Sequence, residues 1–302
     1  MAKQARGRRI DGIVVLDKPG GMSSNQLLQK VKRLYNAEKA GHTGSLDPLA
    51  TGVLPICLGE ATKISQYLLD ADKGYIANVR LGETTATGDS QGESTGSSPV
   101  PVLSHADIEA VLGAFVGEIE QEPSVYSALK QDGVPLYKLA RAGKKIRSKL
   151  RTITIYSIRL LEWQSPVLVI EVYCSKGTYI RTLAEDIGRS LGCGAHVTAL
   201  RRCKAGPFTL AAAHTLDALQ EQPLEVLDAL LLPADEAIAG LPCFTIDEDQ
   251  RRRLRQGQAV RVDSGPQGQP LRVYCGEEFV GIASITPERV MQAVRLMQYE
   301  QA

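Results

Sequence analysis

The chain has 302 residues, of which 43% are hydrophobic and 23% charged, so its composition is that of a globular protein and excludes wholesale disorder. Lysine and arginine total 35 against 34 aspartate and glutamate residues, and a net charge of +1 does not by itself suggest nucleic-acid binding. No apolar run reaches the length of about 18 residues that a membrane span needs. The basic N-terminus lacks an apolar segment, so we expect no secretory signal there.

The six cysteines are scattered without a C-x-x-C pair, and the four histidines do not cluster near them. This pattern favours neither a zinc site nor a disulfide framework. We therefore expect reduced, mostly buried thiols, no bound metal ion and a cytoplasmic protein.

Hydrophobic spacing and turn residues predict the elements of the first half of the chain. In order they are a strand at 12–16, a helix capped by Ser23 or Ser24 and ending near Tyr35, a long structured loop with short elements at 41–60, a helix near 61–69, a strand at 75–81, an exposed loop at 83–99 and a helix from the capping box of Ser104 and Asp107 to Phe115. In the strand at 75–81, Tyr75 shares an apolar face with every second residue after it.

The same signals predict the elements that follow. In order they are a short helix around 135–142 within the polar, basic segment 123–150, strands at about 152–162 and 166–174, a helix at 178–191, a strand at 195–204 and helices near 215–231. The strand at 166–174 is apolar on both faces, which predicts a central place in its sheet. Because regular crossover helices do not follow the strands, we predict an α+β fold with a mixed, mainly antiparallel sheet flanked by helices.

From about Leu241 the chain changes to short apolar runs between Gly and Pro turns, at 260–262, 271–274 and 279–283. This texture predicts a separate, small β-rich domain. We therefore expect two domains, at 1–240 and 241–302.

The densest signal for chemistry is the stretch GHTGSLDPLATGVLP at 41–55. Three Gly and two Pro fix an irregular backbone around His42 and Asp47. A loop held this tightly often positions a functional group, although Asp before Pro is also a common turn-former. The residues alone leave both interpretations open.

This loop and an ordered series of other segments resemble the bacterial TruB-type tRNA pseudouridine synthases, which isomerise the T-loop uridine at position 55 of tRNA. The resemblance covers residues 10–235. The other segments that carry it are LDKPGGMSS at 16–24, GEATK at 59–63, Tyr75, T-x-T-x-D-x-x-G at 85–92, SALK at 127–130, CSKGTYIRTL at 174–183, GAHV at 194–197 and LRR at 200–202.

The resemblance implies three catalytic residues: Asp47 as the nucleophile, Arg181 as its ion-pair partner and Tyr75 as an aromatic that stacks on the target base. A carboxylate suits a reaction that breaks a C–N bond and forms a C–C bond at one sugar carbon. Attack at C6 of the base, attack at C1′ of the ribose and a glycal route all stay open. So do a surface pair between Arg181 and Glu185 and a core role for Tyr75.

The resemblance also implies five substrate-binding residues. Tyr179 and Leu200 match uracil-pocket positions, and His42 matches the histidine that helps displace the target base. Lys18 is expected to support the pocket floor, and Lys130 to contact RNA. From the residues alone, Leu200 is equally a core residue, His42 a structural histidine, and each lysine a solvated charge.

Segment 123–150 resembles the family's insertion that grips the T loop. It contains seven basic residues and one acid, Asp132, and such clustering suits phosphate neutralisation. The arginine cluster 251–255 opens the C-terminal part, where residues 254–260 resemble a PUA-type RNA-binding module. We therefore predict a PUA-like RNA-binding domain there.

Three functions are weighed. The first is an isomerase that acts as a monomer on the T arm of tRNA without metal or organic cofactor. The second is an RNA-binding or tRNA-folding protein in which catalysis is absent or secondary. A glycoside hydrolase is the third, and the pairing of Asp47 with an arginine rather than a second acid argues against it.

The charge of the chain is segregated. Residues 81–129 and 205–250 contain no Lys or Arg. Basic residues concentrate near the N-terminus, at 130–151, at 176–204 and at 251–261. We predict that these four segments converge on one face around Asp47, with the acidic stretches turned away.

Overall fold

The computed structural model describes residues 7–124, 126–127, 130–144 and 150–299, with only the backbone at 130, 135, 137 and 141. The described helices are α1 (Ser24–Leu34), α2 (Ser65–Asp70), α3 (His105–Gly113), α4 (Leu136–Arg141), α5 (Ile180–Ser190), α6 (Leu216–Gln220), α7 (Leu224–Ala229) and α8 (Glu248–Arg255). Short 3₁₀ helices occupy Gly59–Ile64, Leu210–Ala212 and Ala234–Ile238.

The described strands fall into two large sheets and two small hairpins. They are β1 (Gly12–Lys18), β2 (Ala40–His42), β3 (Thr51–Leu58), β4 (Lys73–Leu81), β5 (Glu83–Thr85), β6 (Ser94–Ser97), β7 (Gly117–Gln121), β8 (Lys130–Gln131), β9 (Val134–Pro135), β10 (Arg151–Gln164), β11 (Val167–Cys174), β12 (Ala195–Ala205), β13 (Phe208–Thr209), β14 (Cys243–Thr245), β15 (Val260–Arg261), β16 (Pro270–Cys275), β17 (Glu278–Ile285) and β18 (Val290–Leu296).

The main sheet has the order β1-β3-β12-β4-β11-β10-β7, with β2 paired to β3 and β13 to β12. Its pairs are antiparallel except β3 and β12, which run parallel. The predicted α+β class with a mixed, mainly antiparallel sheet is confirmed. Strand β11 lies between β4 and β10, the central place that its apolar faces predicted.

Helices α1 and α5 form where their sequences predicted. A capping box between Ser23 and Gln26 starts α1, and its apolar residues are buried against β1 and β3. The apolar face of α5 packs on the sheet in the cluster that also contains β4, β11 and β12. This packing fixes the N-terminal end of α5 beside the loop that carries Asp47.

Two expectations for loops were wrong in part. Within 41–60, residues 51–58 form β3, which is buried along almost its whole length. Its Gly52 and Pro55 suggested turns, but a strand covered on both faces needs a continuous apolar run more than alternation. Within 83–99, β5 and β6 pair as an exposed hairpin, yet Asp89 between them is 4% exposed.

The second sheet lies in the C-terminal part and has the order β14-β16-β17-β18-β15, which confirms a β-rich domain there. Helix α8 was not predicted, although Asp247 and Gln250 form a capping box at its start. The sheet packs against the main body through Phe279, Ile282 and Met297, which share an apolar cluster with residues of β1 and β3. No helix among the described residues is long and apolar enough to cross a membrane.

Candidate active site

A cleft of about 390 Å³ opens where the Asp47 loop, the β4–β12 pair and the start of α5 meet. This volume is within the range of small-molecule pockets. Five of the eight predicted site residues line the cleft: Asp47, Tyr75, Tyr179, Arg181 and Leu200.

The loop that carries Asp47 is held by hydrogen bonds on both sides of the aspartate. Ser24 Oγ accepts from the backbone N–H of Leu46 at 2.7 Å. The N–H of Gly21 donates to the carbonyl of Pro48 at 2.8 Å. The start of α1 and the turn before it therefore fix the position of the Asp47 backbone.

Arg181 lies between two carboxylates. Its Nε is 3.0 Å from Asp47 Oδ2, and its Nη1 is 3.4 Å from Asp89 Oδ2. Nη1 also donates to the carbonyl of Thr87 at 2.8 Å, and Nη2 donates to that of Tyr126 at 3.1 Å. The Arg181 side chain is 7% exposed, so it forms a buried fork rather than a surface pair.

Asp89 is a member of this cluster that the sequence interpretation did not single out. Its Oδ1 accepts from Thr87 Oγ1 at 2.6 Å and from the N–H of Gln91 at 3.0 Å. Gly88 adopts φ +72°, and a Cβ there would lie 2.7 Å from the Glu185 carboxylate. The T-x-T-x-D-x-x-G motif carried the signal, since its Thr87, Asp89 and Gly92 serve this turn, and a Cβ on Gly92 would lie 2.7 Å from the backbone nitrogen of Thr87.

The Asp47 side chain is 41% exposed and faces the cleft. Burial by the surrounding protein raises the pKa of its carboxyl, the Arg181 guanidinium lowers it, Asp89 raises it, and Lys18 lowers it. Burial outweighs the two cations, so the pKa of Asp47 lies above its ordinary value, although Arg181 and Lys18 favour the ionised carboxylate.

Arg202 is a second buried arginine that the sequence interpretation passed over. It is 1% exposed, and its Nε donates to the carbonyl of Val53 at 2.7 Å while Nη2 donates to that of Gly44 at 3.1 Å. These carbonyls lie on opposite sides of Asp47 in the chain. Arg202 therefore ties both ends of the Asp47 loop to β12.

Tyr75 lies on β4, directly opposite Arg202 of β12. It lines the cleft and also packs against the main apolar cluster, so both interpretations of Tyr75 describe part of its environment. Burial raises the pKa of its hydroxyl, and the neighbouring Arg202 guanidinium opposes that rise.

Tyr179 precedes the first residue of α5, and a buried side chain fixes its backbone. Gln121, which is 2% exposed, accepts from the N–H of Tyr179 at 2.7 Å and donates to its carbonyl at 3.1 Å. Leu200 is 8% exposed and belongs to the apolar cluster while it lines the cleft. Gln121 is a further residue that sequence patterns did not indicate.

Two predicted residues, Lys18 and His42, do not line the cleft. Lys18 is fully buried, not a solvated charge, and its Nζ donates to the carbonyls of Pro19 at 2.8 Å and Met22 at 2.6 Å. Burial lowers the pKa of Lys18 to about 8, Asp47 raises it and Arg202 lowers it. His42 ends β2, with Nδ1 buried and without a hydrogen-bond partner among the described residues. The side chain of Lys130 lies outside the described residues.

The basic segments differ in where their positive charges lie and in how far acidic residues neutralise them. Arg181 and Arg202, from segment 176–204, reach the cleft, whereas residues 145–149 lie outside the described part of the chain. In α8, Arg251 and Arg255 pair with Glu278, and Arg252 pairs with Asp249. Much of the positive charge of α8 is therefore neutralised within its own domain.

Family models cover most of the chain. Residues 32–180 match the model described as TruB family pseudouridylate synthase (N terminal domain). Residues 181–239 match tRNA pseudouridylate synthase B C-terminal domain, and residues 242–297 match Pseudouridine synthase II TruB, C-terminal.

Curated relatives resemble the chain over its whole length. "tRNA pseudouridine synthase B" of Pseudomonas aeruginosa is 53% identical and covers 99% of this chain and 100% of its own. The protein of the same name from Chromohalobacter salexigens is 50% identical, with coverage of 98% and 99%.

Solved structures are similar at lower identity. A chain of the "Structure of H/ACA RNP bound to a substrate RNA containing 2'-deoxyuridine" has a TM-score of 0.75 at 26% identity and covers 96% of this chain and 86% of its own. Fold, cleft and relatives together define a pseudouridine synthase. The chain belongs to the TruB family, as its three consecutive family models and its relatives at about 50% identity show.

Proposed function

We propose that this protein isomerises the uridine at position 55, in the T loop of tRNA, with Asp47 as the nucleophile. The observation that carries the proposal is the cleft carboxylate of Asp47, 3.0 Å from a buried guanidinium of Arg181. Membership of the TruB family and relatives named for tRNA supply the substrate class.

The proposed chemistry needs one bond broken and one formed at the same sugar carbon. The C1′–N1 bond breaks, the base turns while it stays in the cleft, and C1′ bonds to C5. The proton leaves C5, and N1 gains a proton. An ionised carboxylate can form a transient bond to the substrate by attack at C6 or at C1′, and the proposal covers both.

Arg181 keeps the nucleophile ionised and aimed. Its guanidinium stands beside the Asp47 carboxylate and is itself held by Asp89 and two backbone carbonyls. A fork held on every side loses little freedom when the substrate binds, which is what preorganised electrostatic catalysis requires.

The target uridine enters by base flipping, because its reacting carbon is inaccessible inside a folded loop. We propose that Tyr75 stacks on the flipped base, that Tyr179 and Leu200 form the other walls, and that His42 takes the vacated place in the RNA. Lys18 supports the floor of the pocket beneath the Asp47 loop.

We propose that RNA backbone contacts come from segment 123–150, including Lys130, and from a PUA-like domain at 241–302 that follows the catalytic domain at 1–240. We propose that the protein acts on tRNA as a monomer. The six cysteines are free thiols, as a reducing compartment keeps them, and we place the reaction in the cytoplasm.

The test is to incubate the protein with an unmodified tRNA transcript and to map pseudouridine by sequencing. The proposal predicts product at the T-loop position alone, none in a transcript with cytidine there, and none with Asp47→Ala. Binding of tRNA without product would favour an RNA-binding protein, and product at other uridines would contradict the T-loop assignment.

A further inference from the structure

Ser127 carries a buried hydroxyl that no described residue satisfies. The residue is 4% exposed, and its Oγ has no hydrogen-bond partner among the described residues. Buried hydroxyls in native proteins nearly always have a partner, because an unpaired one loses its bonds to water. An exception in this position calls for a partner from outside the chain.

The position of this hydroxyl suits a substrate contact. Ser127 lines the same cleft as Asp47, Tyr75 and Leu200. Two other buried side-chain atoms lack a partner among the described residues, His42 Nδ1 and Thr286 Oγ1, and neither lines the cleft.

The backbone before Ser127 is tied to the catalytic cluster. The carbonyl of Tyr126 accepts from Arg181 Nη2 at 3.1 Å, and Nε of the same guanidinium lies 3.0 Å from Asp47 Oδ2. One side chain therefore fixes both the nucleophile and the segment that presents the Ser127 hydroxyl.

We propose that Ser127 Oγ is a specificity group that hydrogen-bonds the polar edge of the flipped uracil, an inference that rests on the proposed function. The other walls of the cleft include Leu46, Leu200 and the ring of Tyr75, which give uracil stacking and apolar contact but no such bond. Ser175 also lines the cleft, but its hydroxyl already accepts from the N–H of Thr154 at 2.9 Å.

A hydroxyl can serve this task throughout the reaction. During the isomerisation the base turns so that C5 replaces N1 at the sugar, and its two carbonyl groups exchange places. A serine hydroxyl can donate or accept, so it can bond to the base before and after the turn.

The test compares Ser127→Ala and Ser127→Cys, which remove or weaken the hydrogen bond while keeping a small side chain. We expect kcat/KM for an unmodified tRNA transcript to fall about three- to thirtyfold in both, the effect of losing one hydrogen bond. The control is Ser157→Ala on the exposed part of β10, which should keep wild-type kcat/KM.

Thermal unfolding separates a substrate contact from a structural one. Because the hydroxyl has no partner among the residues that the structure describes, Ser127→Ala should unfold at the same temperature as wild type or higher. If Ser127→Ala lowers the unfolding temperature, kcat/KM of Ser127→Cys decides between the two roles, because the cysteine side chain fills the space of the serine.

Wild-type kcat/KM within twofold in Ser127→Cys would overturn the inference, because hydrogen bonding would then be irrelevant. The proposed function fails separately, since it requires product from the unaltered protein. An active wild type with an unaffected Ser127 variant would contradict this inference alone.

Discussion

Arg181 and Asp89 are buried beside the more exposed carboxylate of Asp47, and each group of this charge cluster depends on the others. Taking a guanidinium out of water is costly unless its donors are matched. Arg181 meets this condition with two carboxylates and the carbonyls of Thr87 and Tyr126. A change to one of these partners should therefore affect the Asp47 carboxylate.

Asp89→Asn tests this dependence. The amide can still occupy the turn, but it no longer balances the charge of Arg181, so the guanidinium is held less firmly beside Asp47. We expect kcat to fall about 10- to 100-fold with KM within about threefold of wild type, measured by steady-state kinetics on tRNA.

The matched control is Asp217→Asn, an exposed residue in the first turn of α6. It should leave both kinetic constants unchanged. An Asp89→Asn protein with wild-type kcat would show that the second carboxylate does not act on the nucleophile.

Lys18 gives a pH prediction. Its pKa of about 8 leaves it charged in acid, where its charge lowers the pKa of Asp47. In Lys18→Met that effect is lost, so the carboxylate takes up its proton at a higher pH. We expect the acid limb of kcat/KM against pH to move to higher pH, and a limb that stays or moves down would contradict this coupling.

At the residue scale, family resemblance predicted Asp47 and Arg181 as site residues and left their contact to be tested. It did not reach Asp89, Gln121 or Arg202 as site residues. Their polar groups matter because distant segments bury them together, as when Gln121 of β7 meets the backbone of Tyr179. Local sequence patterns do not encode such contacts between distant segments.

At the element scale, the pairing of β3 with β12 holds the Asp47 loop in place. Gly52 adopts φ +103°, and a Cβ there would lie 2.2 Å from the carbonyl oxygen of Arg202. The two parallel strands can approach this closely only because position 52 has no side chain.

Gly52→Ala should therefore lower the free energy of unfolding by about 2 kcal/mol or more, measured by urea denaturation. The control is Gly113→Ala at the end of α3, where an added Cβ meets nothing within 4 Å. That variant should be as stable as wild type or slightly more so. Equal stability of the two variants would contradict the close approach at Gly52.

The elements that the sequence predicted are those with a clear period or cap. Alternation predicted β4, and the capping box of Ser104 and Asp107 predicted α3. Strand β3 was not predicted, because its Gly52 and Pro55 are turn signals and its burial on both faces removes the alternation of apolar and polar residues. Tertiary packing decided that segment, and local propensity did not.

At the scale of the whole molecule, the C-terminal sheet is packed against the main body rather than loosely tethered. Lys63 Nζ donates to the carbonyl of Leu296 at 3.0 Å, and the N–H of Gln298 donates to Glu60 Oε2 at 2.6 Å. Met297 is fully buried in the shared apolar cluster. We expect the two parts to unfold together.

Met297→Asp tests this coupling, because it buries an unpaired charge in the shared cluster at a cost of about 4 kcal/mol or more. The single tryptophan, Trp163, lies on β10 and reports on the main sheet. In wild type, Trp163 fluorescence and far-UV circular dichroism should change together on heating. In the variant, circular dichroism should begin to change first.

Val294→Asp is the matched control, on β18 three residues before Met297 but 46% exposed. It should keep the two signals coincident. Coincident signals in Met297→Asp would show that the two sheets do not depend on this contact.

The near-zero net charge of the chain conceals a cationic cleft region. Lys18, Lys73, Arg181 and Arg202 are all buried in or beside the cleft, against the carboxylates of Asp47 and Asp89. This local excess suits a polyanion. The convergence of all four basic segments on this face stays a prediction. The expectation that the acidic stretches turn away was wrong for Asp89 of the stretch 81–129, because its carboxylate is buried against Arg181.

The most direct test of the account follows the hydrogen at C5 of uridine. Each isomerisation must break the C5–H bond, so a tRNA transcript labelled with tritium at C5 of uridine releases tritium to water. We predict release equivalent to one uridine per tRNA with wild type and none with Asp47→Asn, although that variant still binds tRNA. Release by Asp47→Asn at the wild-type rate would contradict the role of Asp47 as the nucleophile.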